Sequence, residues 1–208
     1  WEDDGEGEAV EPSPQGGGIA QQLSDAPAPA SYPNDPQYPS QWYLPAVRAG
    51  ALWDSGLDGE GVKLAVIDSG LYEAHEDIDS GHILLRQNFK ANGDTDPIKD
   101  HTGHGTAVTG IVAAQIDNGK HVAGITDRVD LLVLRCFTNP TNGAADELVA
   151  AIDKAIEEGA DVINMSWGST TYSETIHLAV QKAHRAGVLL VSSAGNSGTA
   201  DKSYPASH

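Results

Sequence analysis

Short apolar runs alternate with helical patterns over most of this chain. Val62–Ile67 is an apolar run bounded by Gly61 and by Ser69-Gly70, and Leu131–Phe137, Asp161–Met165 and Val188–Ser192 read the same way. Runs of this length without polar alternation predict strands buried on both faces. Ile83–Phe89 predicts a weaker strand. In Ala145–Glu158, Leu148, Ile152 and Ile156 recur every four residues, which puts them on one helix face, and Gly159 supplies the stop. Thr171 and Glu174 have capping-box spacing and predict a helix that opens there and runs to Gly187. A small-residue helix is expected over Ala107 to Gln115. Strands alternating with helices predict an α/β fold of three layers, a parallel sheet flanked by helices.

The last apolar run carries a further expectation. Val188–Ser192 looks like a strand with neighbours on both sides, yet only sixteen loop-like residues follow it. Backbone groups left unpaired and buried there would cost about 1–3 kcal/mol each. That is large against a net domain stability of about 5–15 kcal/mol. The sheet is therefore expected to be incomplete in this chain, with further strands supplied by another polypeptide.

Residues 1–40 lack any periodic apolar pattern. They are rich in Asp, Glu, Pro and Gly, too few of them apolar to offset the entropy of ordering, and read as a flexible acidic leader. Its last part is expected to lie along the folded domain of residues 41–208, and the stretch from Pro36 to Trp42 begins the fold. All 12 Lys and Arg lie from Arg48 onward, and eight of the 30 acidic residues precede it. The net charge of −18 argues against a nucleic-acid partner, which needs a basic footprint. No apolar stretch is long enough to span a membrane, so no membrane partner is expected. Cys136, the single cysteine, cannot form a disulfide within the chain and lies in an apolar run, where it reads as a buried packing residue. The chain begins at Trp1 and reads as a processed or trimmed product whose export signal stood upstream.

Two residues stand where catalytic groups sit in such folds. Asp68 follows a predicted buried parallel strand at its C-terminal end, although an Asp there also serves as a turn or helix cap. His104 precedes the small-residue helix with Gly103 and Gly105 beside it, which lets backbone and substrate approach the imidazole. Asp68, His101 and His104 could alternatively make a metal-dependent hydrolase, though zinc would need a further ligand.

Four motifs in one order carry more information. They are Val66-Ile67-Asp68-Ser69-Gly70, His104-Gly105-Thr106, Asn164-Met165-Ser166-Trp167-Gly168 and Ser193-Ala194-Gly195-Asn196. Over about residues 36–208 the chain resembles the subtilisin-like serine proteases. The resemblance implies a three-layer subtilisin-like fold and a serine endopeptidase that hydrolyses peptide bonds through an Asp-His-Ser triad. Asp68 would orient the imidazole, His104 would act as general base and then general acid, and Asn196 would donate to the oxyanion. Ser166, Trp167 and Gly168 would pair with the substrate backbone, Asn142 and Gly143 would form the opposite rim, and Tyr204-Pro205-Ala206 would close the specificity pocket.

The family's Gly-Thr-Ser motif, with its nucleophile opening a helix, does not occur in these residues. Ser197 and Ser207 open no helix and are rejected as nucleophiles. The expected partner is thus a C-terminal fragment of the same precursor that carries the catalytic serine, this chain being inactive without it. The rival is a non-catalytic peptide-binding module that kept the fold. Calcium is the cofactor the resemblance implies, with Asp77, Asp117 and Asn118 as ligands, and Asp94, Asp96 and Asp100 as an acidic loop or second site. A secreted or periplasmic location is expected.

Overall fold

The computed structural model describes residues 33–90, 99–138 and 143–208. Two short helices, α1 (Tyr43–Ala46) and α2 (Ala49–Asp54), precede the first strand, β1 (Lys63–Asp68). There follow β2 (Ile83–Asn88), α3 (His104–Ala113), β3 (Asp130–Arg135), α4 (Ala145–Glu157), β4 (Val162–Met165), α5 (Glu174–Arg185) and β5 (Leu189–Ser192). The five strands form one sheet in the order β2-β3-β1-β4-β5, and every neighbouring pair is parallel.

Why the central runs are uninterruptedly apolar is now explicit. From β1 and β3, Leu64, Val66, Leu131 and Val133 pack on one face with Val108, Val112 and Ala113 of α3. On the other face Ala65, Ile67, Leu132 and Leu134 pack with Leu148, Ala151, Ile152 and Ala155 of α4 and Ala179 and Ala183 of α5. Each side chain of Leu or Ile size buried this way contributes about 1.5–3 kcal/mol.

The helix ends differ from the sequence expectation in two places. Helix α5 opens at Glu174 behind Ser173, whose hydroxyl accepts from Ile176 N–H at 3.5 Å. Thr171 belongs instead to a turn, its N–H bonded to Ser169 Oγ at 3.0 Å. Helix α3 opens three residues earlier than its apolar pattern, at His104, because Gly103 adopts a left-handed φ of 79° and Asp100 caps the first turn.

The N-terminal segment is fastened to the domain. Asp35 is buried and its carboxylate accepts the N–H groups of Asp117 and Asn118 at 2.8 and 3.3 Å. Gln41 spans Ala123 with both ends of its amide, at 2.8 and 2.9 Å. At the far edge, Leu190 packs toward α4 and α5, whereas Leu189 and Val191 point to the α3 side and are 61% and 46% exposed.

Candidate active site

Asp68 is the last residue of β1 and His104 the first of α3, so the helix running back antiparallel against the strand brings their side chains together. His104 Nδ1 lies 2.7 Å from Asp68 Oδ1, which also accepts from Ser69 N–H at 2.7 Å. Because a carboxylate only accepts, the imidazole proton sits on Nδ1 and the Nε2 lone pair is available as a base. Asp68 Oδ2 is buried without a hydrogen-bond partner among the described residues. The carboxylate thus stands 2.7 Å from the atom that would share positive charge developing on the ring during base catalysis.

Glycine at position 105 is a steric requirement. A Cβ there would lie 2.2 Å from Gly70 O and 3.2 Å from Asp68 Oδ1. Ser69 Oγ accepts from Gly105 N–H at 2.8 Å and so fixes the same junction.

Asp100 organises the helix start. Its Oδ1 accepts from Ser69 Oγ, Thr102 N, Thr102 Oγ1 and Gly103 N at 2.9 to 3.2 Å. Its Oδ2 accepts from Thr106 N and Thr106 Oγ1 at 2.9 and 2.7 Å. Burial pushes the carboxyl up, but the bonds from Thr106, Thr102 and Ser69 together outweigh it and hold Asp100 at about 2. Of the acidic loop that sequence offered as a second calcium site, Asp100 is thus a helix cap and anchor of the His104 backbone; Asp94 and Asp96 lie outside the described residues. The signal was present in the Asp-x-Thr-Gly stretch before a helix, a local side-chain-to-backbone turn.

Several of the residues expected from sequence to bind substrate border two hollows. Asp68, Ser69, Thr102, His104, Phe137, Ser166 and Trp167 line a cleft of about 60 Å³ at the imidazole. Beyond it lies a cavity of about 410 Å³ whose walls include Gly143, Leu148, Trp167, Gly168, Ile176 and Tyr204. Trp167 borders both, its ring 6.1 Å from that of Phe137. Ser166 Oγ accepts from Asn164 Nδ2 at 2.9 Å, and a Cβ on Gly168 would meet Ser203 Oγ at 2.5 Å and require that hydroxyl to move. Gly143 is equally restricted, by the Phe137 ring at 2.4 Å. Asn142 lies outside the described residues.

Asn196 follows β5 and is exposed at the sheet edge that carries Asp68, two strands away; it borders neither hollow. Ser197 Oγ pairs with Thr199 Oγ1 at 2.9 Å and Ser207 N–H with Ser203 O at 2.9 Å, and neither bonds to His104. Among the described residues no three His, Cys, Asp or Glu side chains are grouped to hold a metal, which removes support for a hydrolase built on Asp68, His101 and His104.

The residues offered for calcium divide. Asp77 is fully buried, accepting from Asn118 Nδ2 at 2.8 Å and Val122 N–H at 3.2 Å, and Gln115 Oε1 lies 3.2 Å from the same amide. Asp117 is turned away, with Oδ1 bonded to Asn34 N–H at 2.8 Å. Asp35, placed by sequence in the leader, instead brings a second buried carboxylate to this loop. Two buried carboxylates, with the amide oxygen of Gln115 close to one of them, are donors of the hard type calcium prefers.

Comparison with known proteins decides the family. The profile of the subtilase family matches residues 59–208. This chain is a subtilase. Among curated relatives it is 33% identical over 175 residues to thermitase of Thermoactinomyces vulgaris, covering 84% of this chain and 61% of thermitase. It is 36% identical over 169 residues to the minor extracellular protease Epr of Bacillus subtilis, covering 81% of the chain and 25% of Epr. For halolysin of Haloferax mediterranei the identity is 38% over 178 residues, covering 84% and 34%. A solved structure of proteases from Pseudoalteromonas arctica superposes with a TM-score of 0.75 at 27% identity, covering 84% of this subtilase and 62% of that chain. The subtilase thus spans from a quarter to about three fifths of the length of these proteins.

Proposed function

We propose that this chain supplies the acid-base half of a serine endopeptidase and that its nucleophile comes from a C-terminal segment of the same precursor. The 2.7 Å contact from His104 Nδ1 to Asp68 carries the reading, since it leaves Nε2 as the base beside the cleft lined by Ser166 and Trp167. The exposed apolar side chains of Leu189 and Val191 give that segment a face to cover. His104 Nε2 accepts the serine proton as Oγ attacks the peptide carbonyl, and Asp68 stabilises the imidazolium. The imidazolium then protonates the departing amine, leaving an acyl-enzyme that water hydrolyses by the reverse proton path. Asn196 donates its amide to the oxyanion. Substrate backbone adds as a strand along Ser166–Gly168, with Gly143 and Asn142 opposite, and an apolar substrate side chain occupies the cavity of about 410 Å³.

A fluorophosphonate applied to the chain assembled with its C-terminal segment is expected to label one serine, and H104A to abolish labelling. An assembled pair that binds peptide yet takes no label would instead establish a non-catalytic binding module.

Calcium belongs to the same reading. Asp77, Asp35 and Asn118 would hold it, with Asp117 contributing through backbone position, and bound calcium would neutralise two buried carboxylates. Calcium at about 100 times its Kd is expected to stabilise the fold by about 2.7 kcal/mol. Calorimetry with calcium and with chelator checks this, and D77N should remove the difference; equal unfolding temperatures in the native protein would refute the site. Function outside the cytoplasm, secreted or periplasmic, fits the acidic composition and is tested by fractionating the producing cells.

A further inference from the structure

A pair of histidines lies away from Asp68 and His104. His177, in the first turn of α5, places Nδ1 3.1 Å from Nδ1 of His208, with ring centroids 4.7 Å apart. Gln181, one turn further along α5, faces His177 Nε2 with its amide nitrogen at 2.9 Å. His177 Nε2 therefore accepts, and its Nδ1 carries a proton that it donates to His208 Nδ1. That leaves the His208 proton on Nε2, an atom that is buried without a partner among the described residues.

The contact fastens a functional wall. Tyr204 and His208 both line the cavity of about 410 Å³, and the Tyr204 ring stands 5.1 Å from that of His208. Tyr204 also exchanges two backbone bonds of 2.8 Å with Ser169, the residue after Gly168. Releasing His208 from α5 would remove one tie on the segment 201–208 that forms this wall and leave the Ser169–Tyr204 bonds easier to open.

A further proton on the pair has no good place to go. On His208 Nδ1 it would oppose the His177 N–H at the same short distance, in a cation whose Nε2–H is buried and unpaired. The other groups facing the pair are Tyr172 before α5, Glu174 at its start, and Tyr204. Glu174 is the charged one, and its carboxylate is engaged by the Tyr172 hydroxyl at 2.6 Å. Burial, then the charge of His177, press His208 below the usual 6.5, and Glu174 opposes them without prevailing.

We propose that His177 and His208 form a pH-sensitive latch, which holds segment 201–208 against α5 when both rings are neutral and releases it when the pair is protonated. The sign follows from a depressed imidazole. The closed state keeps its full advantage above the free-histidine value of 6.5 and loses it as pH falls from there through the lower value of the closed pair. Within that window, opening should grow by up to about tenfold per pH unit for each proton taken up.

The test needs no proteolytic activity, so its outcome is separate from that of the proposed hydrolysis. Amide exchange, corrected for intrinsic rates, is followed in the intact protein from about pH 8 to about pH 5, across the imidazole range. The amides of Ser169 and Tyr204 are expected to lose protection as pH falls, while that of Ile152 in α4 holds. H177Q and H208Q, which cannot take up the proton, should make Ser169 and Tyr204 insensitive to pH. Unchanged protection in the native protein overturns the latch. So does an equal loss in both variants, and so does parallel loss at Ile152, which would report global unfolding.

Discussion

Replacing Asp68 by Asn in the proposed assembly with the serine-bearing segment is expected to lower kcat by about 10⁴-fold with KM little changed. The substitution keeps the shape and removes the charge. An Asn oxygen would still accept from Nδ1, but its amide nitrogen can also face the ring, where it would favour the tautomer protonated on Nε2. Either way the imidazolium loses the carboxylate 2.7 Å away that stabilises it. Steady-state kinetics on a peptide substrate measure the effect. A loss below about tenfold would show that Asp68 is a strand-end cap and not a member of the proton-transfer chain.

The second large effect is expected at Gly105. In G105A the new methyl would be driven into Gly70 O at 2.2 Å, a backbone atom that cannot rotate aside. Overpacking of this kind costs about 1–3 kcal/mol. The more telling loss should be catalytic, because His104 is the preceding residue and a displacement of about 1 Å can cost about 10²-fold. Thermal unfolding and kcat measured on the same preparation separate the two. An unperturbed rate in a destabilised G105A would place the glycine in packing alone.

How much of this was legible beforehand depended on the range of the contacts involved. The five strands and the helix over α4 were readable because continuous apolar runs and an every-fourth-residue pattern are what a two-faced parallel sheet imposes locally. The start of α5 was misplaced because Thr171 and Ser173 both have hydroxyls, and only the folded chain shows that the Ser173 hydroxyl receives the Ile176 N–H while the Thr171 backbone is held in a turn by Ser169. Asp68 and His104 were singled out by motif, but their meeting across 36 residues depends on the packing of α3 against β1. Asp100 went unread as a cap although its signal was local, four of the donors it receives belonging to the Asp-x-Thr-Gly turn and the helix start that follows it. Asp35 was hidden for the opposite reason: its partners lie 82 and 83 residues away, and its surroundings in sequence are all leader-like.

That long-range staple sets an inner limit to N-terminal trimming. A protease removing residues up to Pro33 would leave the carboxylate of Asp35 on the amides of Asp117 and Asn118. One cutting a few residues further would strip two inward-facing N–H groups and the backbone bond from Gln37 to His121 in a single event. The shortest stable form of this subtilase chain should accordingly begin no later than Asn34.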